Sequence, residues 1–433
     1  MQNKVKRLCK QMLHNIQLYS SQFGRKMFFK KFTKNQFILT QCLFYYFKVL
    51  GVGTLAFDIE LAKNIGTRYI RISYSKRAIV YNVILIFILI VSHIFSIPYF
   101  YRLTNRMTFE KVSDSLQEVV SCTTAFFILA KFCLTSDELI SITNRIIKIT
   151  KSSLSLNPEN DHMKKLSLEI GTIIAVNCFI WISIFTAAAV DDLSFLHYDL
   201  TVYSSNFVIS ALMIQYSVIL KFVKYQFKMV NENLIDYSER ESFKIRLSID
   251  SRTQDDGLLQ LRKLHASISE VSRDVSNFYS YSMLFCVLHV FFAMILSSYY
   301  LAKPIVLREN DLTDTIFVHC FFYALLFVVL LVTLTKCVTA AIEESKTTKD
   351  IVNACLIKFD DDQKIKNKLN QFSTYLVNTD LTFKVLGLFS LDQSLLTSMV
   401  SSITTYMVIV LQFQQSNKSA DFIGNYVGDE YAY

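Results

Sequence analysis

The sequence predicts an all-α membrane protein with seven transmembrane helices. Of its 433 residues, 52% are hydrophobic and only 19% are charged, which is far more apolar than a soluble globular chain. Seven apolar stretches are each long enough to cross a hydrocarbon core of about 30 Å as a helix. Long continuous apolar runs favour helices over the strands of a membrane β-barrel, which alternate in hydrophobicity over about ten residues.

The seven predicted spans follow one another along most of the chain. Their bounds are 79–101, 112–130, 166–187, 203–220, 281–301, 316–335 and 386–413. The second span is marked by two carboxylates, Asp114 and Glu118. A further apolar stretch, 37–57, is interrupted by two glycines, a lysine and a glutamine. We expect it to form a re-entrant or interfacial helix pair rather than an eighth span.

The distribution of Lys and Arg predicts the orientation of the chain. Segments 1–78, 131–165, 221–280 and 336–385 contain 39 of the 45 basic residues, and the segments that alternate with them contain 6. Because cytoplasmic loops carry the excess of Lys and Arg, the N-terminus is predicted to be cytoplasmic and the C-terminus extracellular. This orientation is the inverse of that of a G-protein-coupled receptor. It also accounts for the net charge of +9 without a nucleic-acid partner.

Periodic apolar residues in the cytoplasmic segments predict helices that continue below the bilayer. These residues are Leu258, Leu261, Leu264 and Ile268, and then Ile365, Leu369 and Phe372. In contrast, each predicted external segment contains 20 or fewer residues. An extracellular ligand-binding domain cannot be built from segments of that length, so an external ligand is expected to bind among the helices.

The last span carries a row of polar side chains on one face. They are spaced 4, 3, 4 and 7 residues apart, which places them along one side of a helix: Ser394, Ser398, Ser401, Thr405 and Gln412. Such residues either pack membrane helices together or form a wall that faces water. A pore wall requires several copies, so the second interpretation also predicts an oligomer.

Two features mark the predicted start of this last helix. Ser390 and Gln393 fit a capping box, and Asp392 lies in the first turn, where the helix dipole favours a carboxylate. Asp392 is therefore interpreted either as a helix cap or as an acidic group at the inner mouth of a pore, where it would attract cations.

Residues 405–413 read Thr-Tyr-Met-Val-Ile-Val-Leu-Gln-Phe. This segment resembles the signature at the end of the last helix of insect gustatory receptors, in which a Thr-Tyr pair and a Gln-Phe pair flank five apolar residues. Residues 387–392 and the pair Leu395 and Leu396 are also similar to the family's sequence around the start of that helix. The resemblance extends coarsely to the whole chain, through the seven spans, the cytoplasmic N-terminus, the stretch at 37–57 and the length.

The resemblance implies a tastant-gated, nonselective cation channel in the plasma membrane of sensory-neuron dendrites. In such receptors four subunits, either identical or mixed with other gustatory receptors, surround a central pore lined by the last helix of each. On this chain, Gln412 and Phe413 would lie at the extracellular gate, and the polar face with Asp392 would line the pore below them. The expected partners are a small-molecule tastant, permeant cations and membrane lipids. No cofactor, metal or nucleic acid is expected.

The resemblance also gives each part of the chain a role. A cytoplasmic N-terminal region with interfacial helices, 1–78, precedes six membrane helices, 79–335, which form the ligand-binding bundle and have cytoplasmic extensions. Segment 336–385 is the cytoplasmic anchor, 386–413 is the pore-lining helix, and 414–433 is a short extracellular tail.

The ligand pocket implied by the resemblance lies in the outer halves of helices two to six. An aromatic cleft with a few polar groups suits a small organic ligand, although ordinary packing would use the same residue types. Glu118 is the strongest candidate, because an ionisable group inside a span is costly unless it is used or paired. The candidates are Glu118, Ser121, Trp181, Tyr203, Tyr299, Tyr300, His319 and Tyr323.

The sequence informs the ligand class only weakly. Receptors for sugars often have Glu after the Thr-Tyr pair, and this chain has Met407. Fructose-type receptors also lack that Glu, so a sugar remains an alternative. We expect an aversive, bitter-type small molecule, with a sugar or a thermal or light-related sensory role as the alternatives.

Other classes of membrane protein fit the sequence less well. A secondary transporter would show broken helices in related halves, but no repeat is visible and the three prolines lie at or outside the ends of the spans. An enzyme is not expected, because His93, His289 and His319 lie in separate spans without metal-ligand spacing, and the sequence shows no nucleophile or phosphate-loop motif.

Overall fold

A computed structural model confirms the all-α membrane fold. It describes the following residues: 27–28, 34–61, 68–103, 108–156, 161–191, 196–246, 256–307 and 314–430. In this part of the chain, seven helices are long and apolar enough to cross a membrane, and each corresponds to one of the seven predicted spans. The N-terminal residues before Met27 lie outside the described residues.

The helices dominate the order of elements. In chain order the elements are β1 (Met27–Phe28), α1 (Lys34–Val49), β2 (Leu55–Leu61), β3 (Arg68–Tyr74), α2 (Lys76–Leu103), α3 (Thr108–Leu134), α4 (Ser136–Leu156), α5 (Asp161–Asp191), α6 (Leu196–Arg246), α7 (Asp256–Leu307), α8 (Asp314–Lys358), α9 (Gln363–Val377), β4 (Lys384–Val385), β5 (Phe389–Ser390) and α10 (Gln393–Glu430). The seven spans lie in α2, α3, α5, α6, α7, α8 and α10.

The centre of the bundle is helix α6, which packs against α2, α3, α5, α7 and α8. In its most apolar stretch 67% of the residues are buried, the largest share among the seven spans. Helices α6, α7 and α8 contain 51, 52 and 45 residues. A span needs only about 20 residues, so these three helices continue well beyond the hydrocarbon core. They do so on the side that the charge distribution predicts to be cytoplasmic.

A second apolar core lies on this cytoplasmic side, and we call it the anchor core. It is formed by Leu234 of α6, Leu258 and Leu261 of α7, Val352 and Cys355 of α8, Phe359, and Ile365, Leu369, Phe372 and Leu376 of α9. Helix α9 begins where the Asp362 carboxylate accepts hydrogen bonds from the backbone N–H groups of Lys364 and Ile365. The apolar periodicity of both cytoplasmic segments therefore correctly predicted helices with one buried face.

Helix α4 is an element that the sequence analysis did not predict. It lies in the cytoplasmic segment 131–165 and packs against α6 and α7. Arg145 of α4 forms ion pairs with Asp274 and Glu270 of α7. The Ser153 hydroxyl donates a hydrogen bond of 2.5 Å to Gln226 Oε1 of α6. These polar contacts fix α4 to the two long helices.

The stretch at 37–57 is not a helix pair. Helix α1 covers its first part, but residues from Leu55 onward form strand β2, which pairs antiparallel with β3 in the register Leu55↔Tyr74. The pattern Leu55, Phe57, Ile59 and Leu61 alternates with small or charged residues, which is the period of a strand. The prediction of a second helix in this stretch was therefore wrong. The apolar residues from Leu55 onward recur at every second position, which indicates a strand rather than a helix.

The turn between α1 and β2 is inserted into the membrane bundle. Val52 is fully buried, and its carbonyl accepts a hydrogen bond of 2.9 Å from Gln215 of α6. The Gly51 carbonyl accepts one of 2.6 Å from Asn82 of α2. Gly51 has a φ of 78°, and a Cβ on it would lie 2.5 Å from Leu129 Cδ2 of α3. Only glycine fits here, because both the backbone conformation and the space exclude a side chain.

We predict that Gly51→Val destabilises the folded protein by about 1–3 kcal/mol, because it combines a strained backbone with overpacking. The free energy of unfolding in detergent, together with the amount of protein at the cell surface, measures the effect. Gly171→Ala is the matched control, since Gly171 lies within α5 and a Cβ there meets no atom within 4 Å. Equal stability of the two variants would contradict the insertion of this turn.

Candidate functional site

A buried polar cluster joins four helices of the bundle, and Asn206 of α6 is at its centre. The Asn206 amide donates a hydrogen bond of 2.8 Å to the Tyr323 hydroxyl, and its Oδ1 accepts one of 3.4 Å from Ser121. His289 Nε2 lies 2.8 Å from the same Oδ1. Gln117 Nε2 also donates to the Tyr323 hydroxyl, at 3.3 Å. The cluster therefore joins α3, α6, α7 and α8 through amide, hydroxyl and imidazole groups.

Aromatic rings extend this cluster toward α5. The rings of Trp181 and Phe207 are stacked with centroids 3.9 Å apart, and Tyr203 meets Trp181 edge-on at 6.0 Å. The Tyr203 hydroxyl lies 2.6 Å from His319 Nε2, and the His319 ring stacks on Tyr323 at 6.0 Å. Hydrogen-bonding groups thus alternate with flat apolar surfaces, an arrangement that can hold a small organic molecule.

Three predicted ligand residues remain. Glu118 lies near the cluster, whereas Tyr299 and Tyr300 form a second group. Glu118 is 3% exposed and follows Gln117, which donates to the Tyr323 hydroxyl. Tyr300 donates a hydrogen bond of 2.7 Å to Asp114, and its ring lies 5.2 Å from that of the buried Tyr299. The structure therefore connects Ser121, Trp181, Tyr203, His319 and Tyr323 through one chain of contacts. With the orientation predicted from charge, all of these residues lie toward the extracellular ends of their spans.

Several members of the cluster were not predicted from the sequence. They include Phe185, whose ring stacks on Phe207 with centroids 5.7 Å apart. The others are Gln117, Asn206, Phe207 and His289. Asn206 carried a usable signal, because an amide inside an apolar span must find hydrogen-bond partners within the protein. The phenylalanines carried none, since one Phe in an apolar helix resembles any other. His289 was noted, but only as a residue without metal-ligand spacing.

The start of α10 differs from the predicted one. The span predicted at 386–413 begins instead at Gln393, because β4 and β5 form a short hairpin before it. Leu386 and Gly387 in this hairpin have φ values of 49° and 76°, which a helix does not allow. Ser390 belongs to β5, so the predicted capping box does not form. The Asp392 carboxylate caps the helix instead, accepting a hydrogen bond of 3.0 Å from the Ser394 backbone N–H.

The predicted polar face of α10 points away from the rest of the chain. Only 17% of the residues in the span are buried, the smallest share among the seven. The buried residues lie on the opposite side and pack toward α7 and α8: Leu395, Met399, Ile403 and Leu411. All five residues of the polar face are exposed: Ser394, Ser398, Ser401, Thr405 and Gln412. Apolar residues that flank this face are exposed as well, among them Val400, Val408 and Ile409.

Two hydroxyls of this face already donate hydrogen bonds to backbone carbonyls of the same helix. Ser398 donates to the Ser394 carbonyl at 3.1 Å, and Thr405 donates to the Ser401 carbonyl at 3.0 Å. Each hydroxyl oxygen keeps lone pairs that can accept hydrogen bonds or face a cation. Helix α10 therefore presents a row of oxygen acceptors on its exposed face.

The outer end of this face is apolar. Ile409 is 52% exposed and lies between Thr405 and Gln412, in the one turn of the polar face that has no polar residue. Phe413, the residue after Gln412, is 54% exposed. Tyr406 lies off the row and meets Phe291 of α7 edge-on at 6.0 Å. Ile409 was not identified from the sequence, although the gap of seven residues between Thr405 and Gln412 pointed to it.

The family of this chain is shown by a match that includes both the polar cluster and helix α10. The family model described as 7tm Chemosensory receptor matches residues 40–417. The chain belongs to the chemosensory receptor family. A receptor of this kind is not an enzyme.

Relatives of this receptor include gustatory receptors of Drosophila melanogaster. Gustatory receptor 28b is 28% identical over 167 residues, which cover 38% of this chain and 35% of the relative. The gustatory receptor for sugar taste 43a is 26% identical over 174 residues, covering 40% of each chain. The matched part of this receptor thus spans well under half the length of these relatives.

Solved structures show the same fold for nearly the whole receptor. The insect olfactory receptor OR5 from Machilis hrabei is 13% identical with a TM-score of 0.62, and the match covers 88% of this chain and 100% of OR5. OR5 in complex with eugenol gives a TM-score of 0.63 at 14% identity, with the same coverage. The seven-helix architecture therefore agrees with an experimentally determined receptor fold.

We predict that Asn206→Leu destabilises the receptor by about 1–3 kcal/mol, because it leaves Tyr323, Ser121 and His289 with unsatisfied buried polar atoms. Unfolding in detergent, followed by helical circular dichroism, measures the change. Asn233→Ala is the control on the same helix, since the Asn233 amide donates to the carbonyl of Met229, one turn away, and joins no second helix among the described residues. If both variants unfold alike, Asn206 is not the centre of a stabilising cluster.

Proposed function

We propose that this receptor is a subunit of a ligand-gated, nonselective cation channel in the plasma membrane of sensory-neuron dendrites. Four copies, or copies mixed with other gustatory receptors, would arrange α10 around a central pore. One observation carries the proposal: the polar face of α10 is exposed, while Leu395, Met399, Ile403 and Leu411 on the opposite side pack on the chain. Lipid would offer no partner to the Gln412 amide or to the remaining lone pairs of the hydroxyls, so water or another subunit is the favoured cover for that face.

The chemistry of the exposed face favours cations without strong selectivity. No Asp, Glu, Lys or Arg occurs between Asp392 and Gln412. Hydroxyl oxygens offer weak coordination, and Asp392 places a carboxylate at the predicted cytoplasmic mouth while it caps the helix. Gln412 and Phe413 then lie at the extracellular end, where Phe413 and Ile409 can close the pore by excluding water.

The ligand proposed for the outer cleft is a small organic molecule. The cluster around Asn206, the rings of Trp181 and Phe207, and the nearby Glu118 supply hydrogen bonds and apolar contact together. Such a site suits an aversive, bitter-type compound with an aromatic group. A sugar is the second candidate, because the cluster is rich in hydroxyl and amide groups and the receptor is similar to the one for sugar taste.

Whole-cell recording from cells that express only this receptor, with G-protein signalling blocked, tests the proposal. A panel of bitter compounds and sugars is expected to evoke a cation current within milliseconds to seconds. Gln412→Arg is expected to abolish the current, because a ring of positive charge at the outer end repels cations. Asn233→Ala serves as the control for expression. A current that survives Gln412→Arg unchanged would remove α10 from the pore wall.

We predict that Phe413→Ala increases the current in the absence of ligand, because it removes apolar side chains from the proposed constriction. Basal conductance at matched surface expression is the measurement, and a several-fold increase is expected. Val410→Ala is the control, since Val410 is half-buried on the same helix and lies well away from the polar face. Equal basal currents in the two variants would show that Phe413 does not close the pore.

A further inference from the structure

A polar groove on the predicted cytoplasmic side is not used by the proposed channel mechanism. It encloses about 450 Å³ between helix α7 and the segment 380–387, which leads into the hairpin before α10. Arg273, Ser276 and Asn277 line it from one face of α7, and Thr382 and Lys384 line it from the opposite wall. Pockets of about 300–1,000 Å³ accommodate small molecules, so the groove is large enough for a ligand headgroup.

The groove combines the side chains that recognise a phosphate. Arg273 offers a guanidinium and Lys384 an ammonium group, while hydroxyl and amide groups lie between them. Both basic side chains are exposed, and neither takes part in an ion pair with any residue that the structure describes. Asp380 is the single acidic residue of the lining, so the lining carries a net positive charge. This charge favours an anion with several acceptor oxygens.

The position of the groove favours a lipid as the source of that anion. The groove lies just below residue 281, where the fifth predicted span begins. Tyr281 at its edge is 59% exposed, and Leu386 and Leu388 of the hairpin are 40% and 69% exposed. Exposed aromatic and apolar residues beside basic ones are typical of a membrane interface, and the cytoplasmic leaflet is the one that carries anionic lipids.

We propose that this groove binds the phosphomonoester-bearing headgroup of an inner-leaflet phosphoinositide. Arg273 and Lys384 hold the phosphates from opposite walls, Asn277 and Thr382 supply further hydrogen bonds, and the acyl chains lie beside Tyr281. Asp380 at the rim limits the site to ligands with more than one negative charge, since it offsets one of the two cations.

Occupancy of the groove would act on the start of α10. The Leu386 backbone N–H donates a hydrogen bond of 2.7 Å to the Ser280 hydroxyl of α7, next to the groove. Leu386 and Gly387 hold left-handed conformations, with φ of 49° and 76°, only a few residues before Gln393 begins the helix. A headgroup that bridges Arg273 and Lys384 holds this hairpin against α7, and so restrains the first turn of α10.

Binding to the purified receptor in detergent tests the site independently of any channel current. Native mass spectrometry with dioctanoyl phosphatidylinositol 4,5-bisphosphate is expected to show a bound lipid, and dioctanoyl phosphatidylcholine is expected not to bind. The double variant Arg273→Gln, Lys384→Gln should weaken binding at least about tenfold, because it removes charge-assisted hydrogen bonds. Lys263→Gln, on the same helix but outside the groove, should change the affinity less than twofold.

Three outcomes would overturn the proposal. The double variant binding as tightly as the native receptor would place the lipid elsewhere, provided that both proteins show the same gel-filtration profile. No binding to the native receptor would mean that the groove is filled by a neighbouring subunit or is empty. Free inositol 1,4,5-trisphosphate binding as tightly as the lipid would identify a soluble phosphate as the ligand, because the acyl chains would then contribute nothing.

Discussion

A polar group inside the hydrocarbon region must find its partners in protein or in water, and this requirement organises the whole structure. Within the bundle, Asn206 satisfies it by joining Tyr323 and His289. At the inserted turn, the amide nitrogens of Asn82 and Gln215 satisfy it by donating to backbone carbonyls. On α10 the hydroxyls bond to their own helix and still present oxygens outward. Their remaining lone pairs and the Gln412 amide favour contact with water or a second copy of the chain over contact with lipid, and the proposed pore rests on this preference.

Helix α7 connects the parts of the molecule that the proposed channel would have to couple. Its His289 belongs to the polar cluster, and Phe291, two residues later, contacts Tyr406 of α10. Nearer the predicted cytoplasmic side, the Ser280 hydroxyl of α7 accepts a hydrogen bond from the Leu386 backbone N–H in the hairpin before α10. A ligand that displaces α7 would therefore act on α10 at two levels. The long helices α6, α7 and α8 also continue into the anchor core, which packs their predicted cytoplasmic ends together.

The sequence allowed the spans, the buried faces of the cytoplasmic helices and the polar face of α10 to be predicted. These features depend on local periodicity, as the buried Leu369 and Phe372 show. Features that depend on long-range contact were missed. Asn206 became the centre of a cluster only because four helices meet there. Helix α10 starts at Gln393 because the hairpin conformation of Leu386 overrides an apolar run that otherwise resembles a span.

The most direct test of the central claim compares two neighbouring residues of α10. Ser401 lies on the polar face, whereas Val400 is 58% exposed but points about 100° away from Ser401 around the helix. Each is replaced by cysteine, and a charged, membrane-impermeant thiol reagent is applied while current is recorded. A pore lined by the polar face predicts block in Ser401→Cys and none in Val400→Cys. Block of both variants alike, or of Val400→Cys alone, would contradict a pore lined by the polar face.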